Sequence, residues 1–253
     1  MARFAKCIHS GVIVTLAVVA FASGAAFAAS KVELESADID LDNVNSLQRG
    51  ARNFMNYCSG CHSAQYVRYK TIGEDLGISE TQLVDNLMFN AEKIHDTINA
   101  AMRPEDAERW FGVEPPDMSL IGRSKGADHI YTFLKSFYLD DERPTGVNNL
   151  VLAGTSMPHV LWELQGYQKA NFSEKTEDGV TIQHFEGFEP GIAGSMDAES
   201  YDEFVRDTTN FLAYIAEPIR SDRRKLGVWV LIYLIVFLII ARMLKKQIWK
   251  DVK

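Results

Sequence analysis

Five consecutive residues restrict this chain more than any other feature: Cys58-Ser59-Gly60-Cys61-His62. The sequence of 253 residues holds three cysteines, Cys7, Cys58 and Cys61. Cys7 belongs to a segment read below as a removable leader, so the mature chain concentrates both of its thiols at one point. A domain that relied on disulfides for stability would carry more of them, spread along the chain. Two thiols three positions apart, followed directly by histidine, match the chemistry of covalent haem attachment. Each thiol adds to one vinyl group of the porphyrin, and the two intervening residues set the spacing of the sulfurs. The next residue then lies under the ring, where its imidazole binds the iron. Ser59 and Gly60 are small enough to let the backbone approach the ring edge. The reading is one covalently bound haem c, held by thioethers at Cys58 and Cys61, with His62 as an axial iron ligand.

Other uses of Cys-x-x-Cys fit less well. A redox-active pair usually opens a helix after a strand. Here Val44, Leu47, Ala51, Phe54 and Cys58 recur at three- and four-residue steps, a helical pattern that runs into the motif. A zinc site needs four ligands, and the sequence has no second cysteine pair.

Both ends of the chain carry apolar segments that stand apart from a folded core. Arg3 and Lys6 precede the uncharged run Gly11 to Phe21, and Ala26-Phe27-Ala28 gives a small-x-small cleavage pattern. These predict a signal peptide over residues 1–28. Leu226 to Leu244 is apolar apart from Arg242, which lies in the last turn and can snorkel to the headgroups. Nineteen residues at helical rise cover about 28 Å, close to the thickness of a bilayer's hydrocarbon core. Trp229, Tyr233 and Trp249 suit its interfaces. Four basic residues stand shortly before this span and five within or after its end, so charge bias alone does not orient it. Export does: it predicts residues 29–225 in the periplasm, a single anchor over 226–244 in the lipid of a bacterial inner (cell) membrane, and residues 245–253 in the cytoplasm.

With the leader, the span and the tail set aside, the exported part holds 19 basic and 33 acidic residues, a net charge of about −14. Such a surface steers basic partners and disfavours nucleic acid. The acidic run Glu33, Glu35, Asp38, Asp40 and Asp42 reads equally as a docking patch or a solvated segment.

The expected fold is mainly α: a single haem domain with long irregular loops, plus the C-terminal transmembrane helix. Apolar residues recur at helical steps up to Cys58, from about Ser79 to Met102, from Asp128 to Phe137, and from Glu199 to Ala216, where Pro218 ends the pattern. From about Asp140 to Gly194 the sequence reads as irregular, with Glu177-Asp178-Gly179 marking a turn that suits a short hairpin.

The second axial position decides what a haem of this kind does. A methionine opposite histidine favours Fe(II) and gives an electron-transfer centre, whereas an open position suits ligand binding or peroxide chemistry. Downstream of the motif lie Met88, Met102, Met118, Met157 and Met196, with His95, His129, His159 and His184. Met157, in Gly154-Thr155-Ser156-Met157-Pro158, and Met196, in Ala193-Gly194-Ser195-Met196-Asp197, both sit in loops beside small residues. Pattern alone leaves these two open, with His159 as a further alternative.

Several stretches in order resemble the cytochrome c1 family, the haem subunits of cytochrome bc1 complexes (ubiquinol–cytochrome c reductases). They are Arg52-Asn53-Phe54, Tyr57 to His62, Pro115-Pro116-Asp117-Met118-Ser119 with Arg123, Arg143-Pro144-Thr145-Gly146-Val147, and Phe211 to Pro218 before a basic stretch and the anchor. The resemblance covers nearly the whole mature chain. It implies a c-type cytochrome domain in which Met157, in Ser156-Met157-Pro158-His159, supplies the sixth ligand. His159 stands where the family often has proline. The resemblance also implies that Arg123 pairs with a haem propionate and that Pro116 packs near the haem. The implied role is electron relay in a respiratory chain, from a Rieske iron–sulfur protein to a soluble basic c-type cytochrome, with the anchor seated on a cytochrome b subunit. The chain alone would not be catalytic. A free-standing tethered carrier, or a haem enzyme or sensor with an open iron, are the alternatives.

Overall fold

The computed structural model describes residues 32–177 and 180–251; the predicted signal peptide lies outside them, with Asp178 and Gly179 of the expected turn. In chain order the elements are α1 (Val44–Tyr57), β1 (Ala64–Arg68), α2 (Tyr69–Leu76), α3 (Glu80–Asn86), β2 (Thr97–Ile98), α4 (Pro104–Phe111), α5 (Ile121–Ser124), α6 (Ala127–Lys135), β3 (Phe137–Leu139), β4 (Val147–Asn149), α7 (Trp162–Gln165), β5 (Gly166–Glu177), β6 (Val180–Ala193), α8 (Ala198–Ala216) and α9 (Arg220–Ile248). The fold is mainly α, as expected, and its strands form three antiparallel or hairpin pairs, β1–β2, β3–β4 and β5–β6.

The core is built on α1 and α8. Each helix starts on a side-chain cap: Asn43 accepts from the Ser46 amide at 3.1 Å, and Asp197 accepts from the Ser200 amide at 2.8 Å. Leu47, Ala51, Phe54 and Met55 bury the inner face of α1, and Val205, Phe211 and Leu212 that of α8. The Phe54 and Phe211 rings lie 5.8 Å apart. Gly50 lets the two backbones meet, because a Cβ there would sit 2.1 Å from the Asp207 carbonyl oxygen. Several polar groups in the seam are paired, while Asn210 Oδ1 has no partner among the described residues. Asn53 donates to the Phe204 carbonyl and the Thr208 hydroxyl, and the buried Asp207 carboxylate accepts from Ser46 Oγ at 2.6 Å and from two nitrogens of Arg49. Helix α8 also packs against α5 and α6, and the Tyr201 hydroxyl donates to the Leu134 carbonyl at 2.9 Å.

The helix expected from Ser79 to Met102 stops at Asn86. Its start is as the sequence indicates, a capping box between Ser79 and Gln82. At its end the Leu87 and Met88 amides both turn back to the Leu83 carbonyl, and the Asn86 side chain bonds the Gln82 carbonyl. Beyond it the Asp96 carboxylate accepts from the amides of Glu92 and Lys93 and closes a turn. Thr97 and Ile98 are then taken up by β1, and the Met102 amide bonds the Gly60 carbonyl at 3.0 Å. Tertiary pairing overrides the apolar periodicity here.

The stretch expected to be irregular between Asp140 and Gly194 also departs from the reading. It contains β4, α7 and a hairpin with strands of 12 and 14 residues. Aromatic side chains line the inner part of that hairpin: Phe172 meets Phe185 at 5.9 Å and Tyr138 at 5.7 Å. Its outer part, Glu174–His184, falls outside the unit formed by residues 34–173 and 185–253.

Helix α9 runs for 29 residues and contains the whole predicted span. No residue of it is buried by the described residues, and its Leu, Ile, Val and Phe side chains stand exposed. A helix this long and apolar is suited to lipid.

Candidate haem site

Helix α1 ends where the motif begins. The amides of Cys58 and Ser59 both bond the Phe54 carbonyl, and those of Cys61 and His62 both bond the Cys58 carbonyl, at 3.0 and 2.8 Å. These successive tight turns aim Cys58, Cys61 and His62 into one cavity of about 490 Å³, a size suited to a ligand larger than a metal ion. Its wall is mostly apolar: Phe54 and Tyr57 from α1, Phe111 from α4, Ile121 from α5, Ile130 and Phe133 from α6, Leu212 from α8, and Val113, Leu152 and Val160 from connecting segments.

The two sulfurs are not bonded to each other. Burial, with a smaller contribution from Cys61, pushes the Cys58 thiol up to about 12, and burial raises Cys61 as well. Both are therefore neutral thiols near pH 7, unlike the low-pKa thiolates of redox pairs. Ser59 is buried, its hydroxyl donating to the Met55 carbonyl at 2.8 Å. Gly60 has open space where a Cβ would stand, so nothing within the described chain itself demands glycine there.

His62 is set by the Pro-Pro-Asp-Met-Ser stretch. That segment runs beside the residues after the motif: the Met118 amide bonds the Ser63 carbonyl, Asp117 accepts from the Gln65 amide, and the Ser119 hydroxyl accepts from the Tyr66 amide. The arrangement puts the Pro116 carbonyl 2.8 Å from His62 Nδ1. A carbonyl only accepts, so Nδ1 carries the proton and Nε2 keeps its lone pair. Burial lowers the His62 pKa, partly offset by the Pro116 bond and the Asp117 charge, which favours the neutral, ligating ring. An imidazole held by a carbonyl behind it is the usual arrangement of a metal-binding histidine.

Of the methionines considered, Met118 and Met157 line the cavity. Met118 belongs to the segment that backs His62. Met157 comes from elsewhere, the loop after β4, and is held by several bonds. Buried Asn149 donates to the Phe133 carbonyl at 2.8 Å and accepts from Val151 and Leu152 amides; Arg143 donates to the Gly154 carbonyl; the Met157 amide bonds the Thr155 hydroxyl. Met88 is in the core, and Met196 packs against the core away from the cavity, its amide on the Leu164 carbonyl. His159 is likewise outside the cavity wall, stacked on Phe137.

Pro116 lines the cavity, but Arg123 is exposed and absent from its wall. Helical geometry explains this. Gly122 lies against the backbone of Leu212 and Ala213, and the cavity takes Ile121 and Lys125, four residues apart, while Arg123 points away between them. Glu114, Lys125 and His129 are ionisable side chains that do reach the wall; the sequence reading named His129 only among the possible iron ligands and missed the other two. The four-residue spacing of Lys125 and His129 was the available signal. Burial, and then the Lys125 charge, lowers the His129 pKa.

The donor set therefore fits a covalently attached haem: two neutral thiols three residues apart, an oriented imidazole, a thioether from a separate loop, and an apolar wall. The profile of the Cytochrome C1 family matches residues 39–252. Over 221 residues the chain is 50% identical to a cytochrome c1 of Allochromatium vinosum, covering 87% of this chain and 89% of that one. It is 40% identical over 229 residues to the ammonia monooxygenase gamma subunit of Nitrosomonas europaea, covering 88% and 90%. It is 24% identical over 230 residues to the mitochondrial cytochrome b-c1 complex catalytic subunit of Candida albicans, covering 82% and 72%. On the profile match and on the first of these likenesses, the chain belongs to the cytochrome c1 family, whose members bind haem c.

Proposed function

We propose that the chain carries one haem c, attached through Cys58 and Cys61, with His62 Nε2 and Met157 as axial ligands, and that it relays single electrons within a ubiquinol–cytochrome c reductase. The observation that carries this reading is the meeting of Cys58, Cys61, His62 and Met157 at one apolar cavity. When bound, the haem supplies a one-electron Fe(III)/Fe(II) couple, which a methionine ligand biases toward Fe(II). The chain's own residues attach it, orient the imidazole through Pro116, and keep water from its faces through Phe54, Ile130, Phe133 and Leu212. Lys125 would neutralise a propionate at the polar edge of the cavity and the neutral His129 ring would donate a hydrogen bond there, in addition to Arg123, the propionate partner that the family resemblance implies.

The electron donor would be a Rieske iron–sulfur protein, and the acceptor a soluble basic c-type cytochrome drawn to the acidic domain. Helix α9 would seat the domain on a cytochrome b subunit, with residues 29–225 in the periplasm after removal of residues 1–28, and residues 245–253 in the cytoplasm. The Candida relative is named as part of a cytochrome b-c1 complex, which supports this assembly, whereas the Nitrosomonas relative carries the name of another oxidoreductase.

The test is purification of the chain from gently solubilised membranes, with pyridine haemochrome analysis of the product. The expected result is a c-type haemochrome that resists acidified acetone, recovered with cytochrome b and Rieske subunits. Recovery of the haem protein alone, or with the subunits of a different oxidoreductase, overturns the assembly; a colourless chain overturns the haem.

A further inference from the structure

His159 stands two residues beyond Met157, and its side chain is buried without touching the cavity. Its ring lies flat on Phe137, 5.1 Å between centroids and 8° between planes, and meets Tyr167 edge-on at 6.0 Å. Nε2 is 3.2 Å from the Gly166 carbonyl, which only accepts, so Nε2 is the protonated nitrogen.

Both anchors are fixed. Phe137 is 1% exposed and opens β3, which pairs with β4 in register. Gly166 opens the long hairpin at φ +87°, where a Cβ would stand 2.1 Å from the Ile192 carbonyl oxygen. Between His159 and Met157 lies Pro158, whose ring fixes φ and confines the backbone of the residue before it. Pinning His159 therefore restricts where Met157 can go. The upstream half of the loop is tied by Asn149 and Arg143, and His159 is the tie on the downstream side.

We propose, on the assignment of Met157 as the sixth ligand, that His159 is a positioning residue whose stack on Phe137 and bond to the Gly166 carbonyl hold the Met157 thioether at the iron. A thioether is a soft ligand that favours Fe(II), so its hold on ferric iron depends on a loop already in place.

The test uses the full-length holoprotein and reads the near-red charge-transfer band of methionine-ligated ferric haem, CO binding to the reduced haem, and the thermal midpoint. Four variants are compared with wild type: Met157→Leu, His159→Ala, His159→Phe and, as a control for general destabilisation, Val205→Ala, whose side chain is fully buried in α8. Met157→Leu should abolish the band. His159→Ala should keep the full haem content, lose most of the band and gain CO binding, while Val205→Ala lowers the midpoint and leaves band and CO resistance unchanged. His159→Phe keeps the stack without the donor and should retain more of the band than His159→Ala. If His159→Ala is too unstable to isolate, His159→Phe decides, with partial loss of the band expected. A full band and no CO binding in the histidine variants, with the band lost in Met157→Leu, refutes the positioning role and leaves the ligand assignment intact. A full band in Met157→Leu refutes the ligand assignment and the proposal together.

Discussion

The two segments that carry the proposed iron ligands at this cavity are built by opposite means. The wall carrying Cys58, Cys61 and His62 is the end of a capped helix, packed on a second capped helix through apolar side chains and close backbones. The segment carrying Met157 has no regular structure between β4 and α7 and is held by polar side chains: buried Asn149 and His159 and half-buried Arg143. The first is stabilised mainly by burial, which is distributed and roughly proportional to area. The second depends on a few directional bonds, each with a steep local cost when removed. Damage to the first should therefore appear as lost stability, and damage to the second as a lost ligand.

The largest expected effect falls on the helical wall. Phe211 is fully buried against Phe54 and lies outside the cavity. Phe211→Ala should cost about 3–5 kcal/mol in denaturant unfolding, while the molecules still folded keep an unaltered near-red band. Loss of the band in parallel with stability would erase the contrast between the two segments.

Asn149→Ala comes next. This side chain is 0% exposed, and its oxygen accepts from two loop amides and the Ser136 hydroxyl. Removal should cost about 1–3 kcal/mol, less than Phe211→Ala, yet weaken the band and open the reduced haem to CO. A variant with normal spectra would show that the loop does not need its buried amide.

These contrasts follow how much was legible in the sequence. The helices that end at Cys58 and Ala216 were readable because caps, apolar spacing and packing all agree there, and agreement across levels is what local patterns report. The cysteines and His62 were readable because covalent chemistry fixes their spacing. The turn of the long hairpin was marked at Glu177-Asp178-Gly179, but the length of its strands was not legible, because aromatic residues such as Phe172 and Phe185 find one another only after the chain has folded back. Arg123 and Lys125 differ by two residues, and a one-turn helix whose orientation depends on Gly122 meeting α8 decides which one reaches the cavity. The role of His159 was equally hidden, since its partners Phe137 and Gly166 lie in other elements.

The smallest effect belongs to a surface tie outside both segments. Lys135 meets Glu35 at 2.5 Å and Asp202 at 3.0 Å. Burial alone would lower its pKa, but bonds to Glu35, Asp202 and Tyr131 override this and hold the ammonium above its ordinary value. A raised folded pKa means that the contribution is complete below the unfolded value of about 10.4 and fades as pH rises through the folded one. Because Glu35 is largely exposed, Lys135→Met should cost under about 1 kcal/mol at pH 8, and its deficit relative to wild type should shrink above about pH 10.4. A deficit that grows with pH would show that the bonds do not favour the charged form.

Two separate segments are proposed to contribute one ligand each to one iron, and Met157 and Met118 are the two methionines among the described residues that line the cavity. The most direct measurement is therefore the near-red absorption of the oxidised protein in Met157→Leu beside Met118→Leu. The band should vanish in the first and persist in the second. Its survival in Met157→Leu with loss in Met118→Leu would place the thioether on the segment that backs His62 and contradict the assignment.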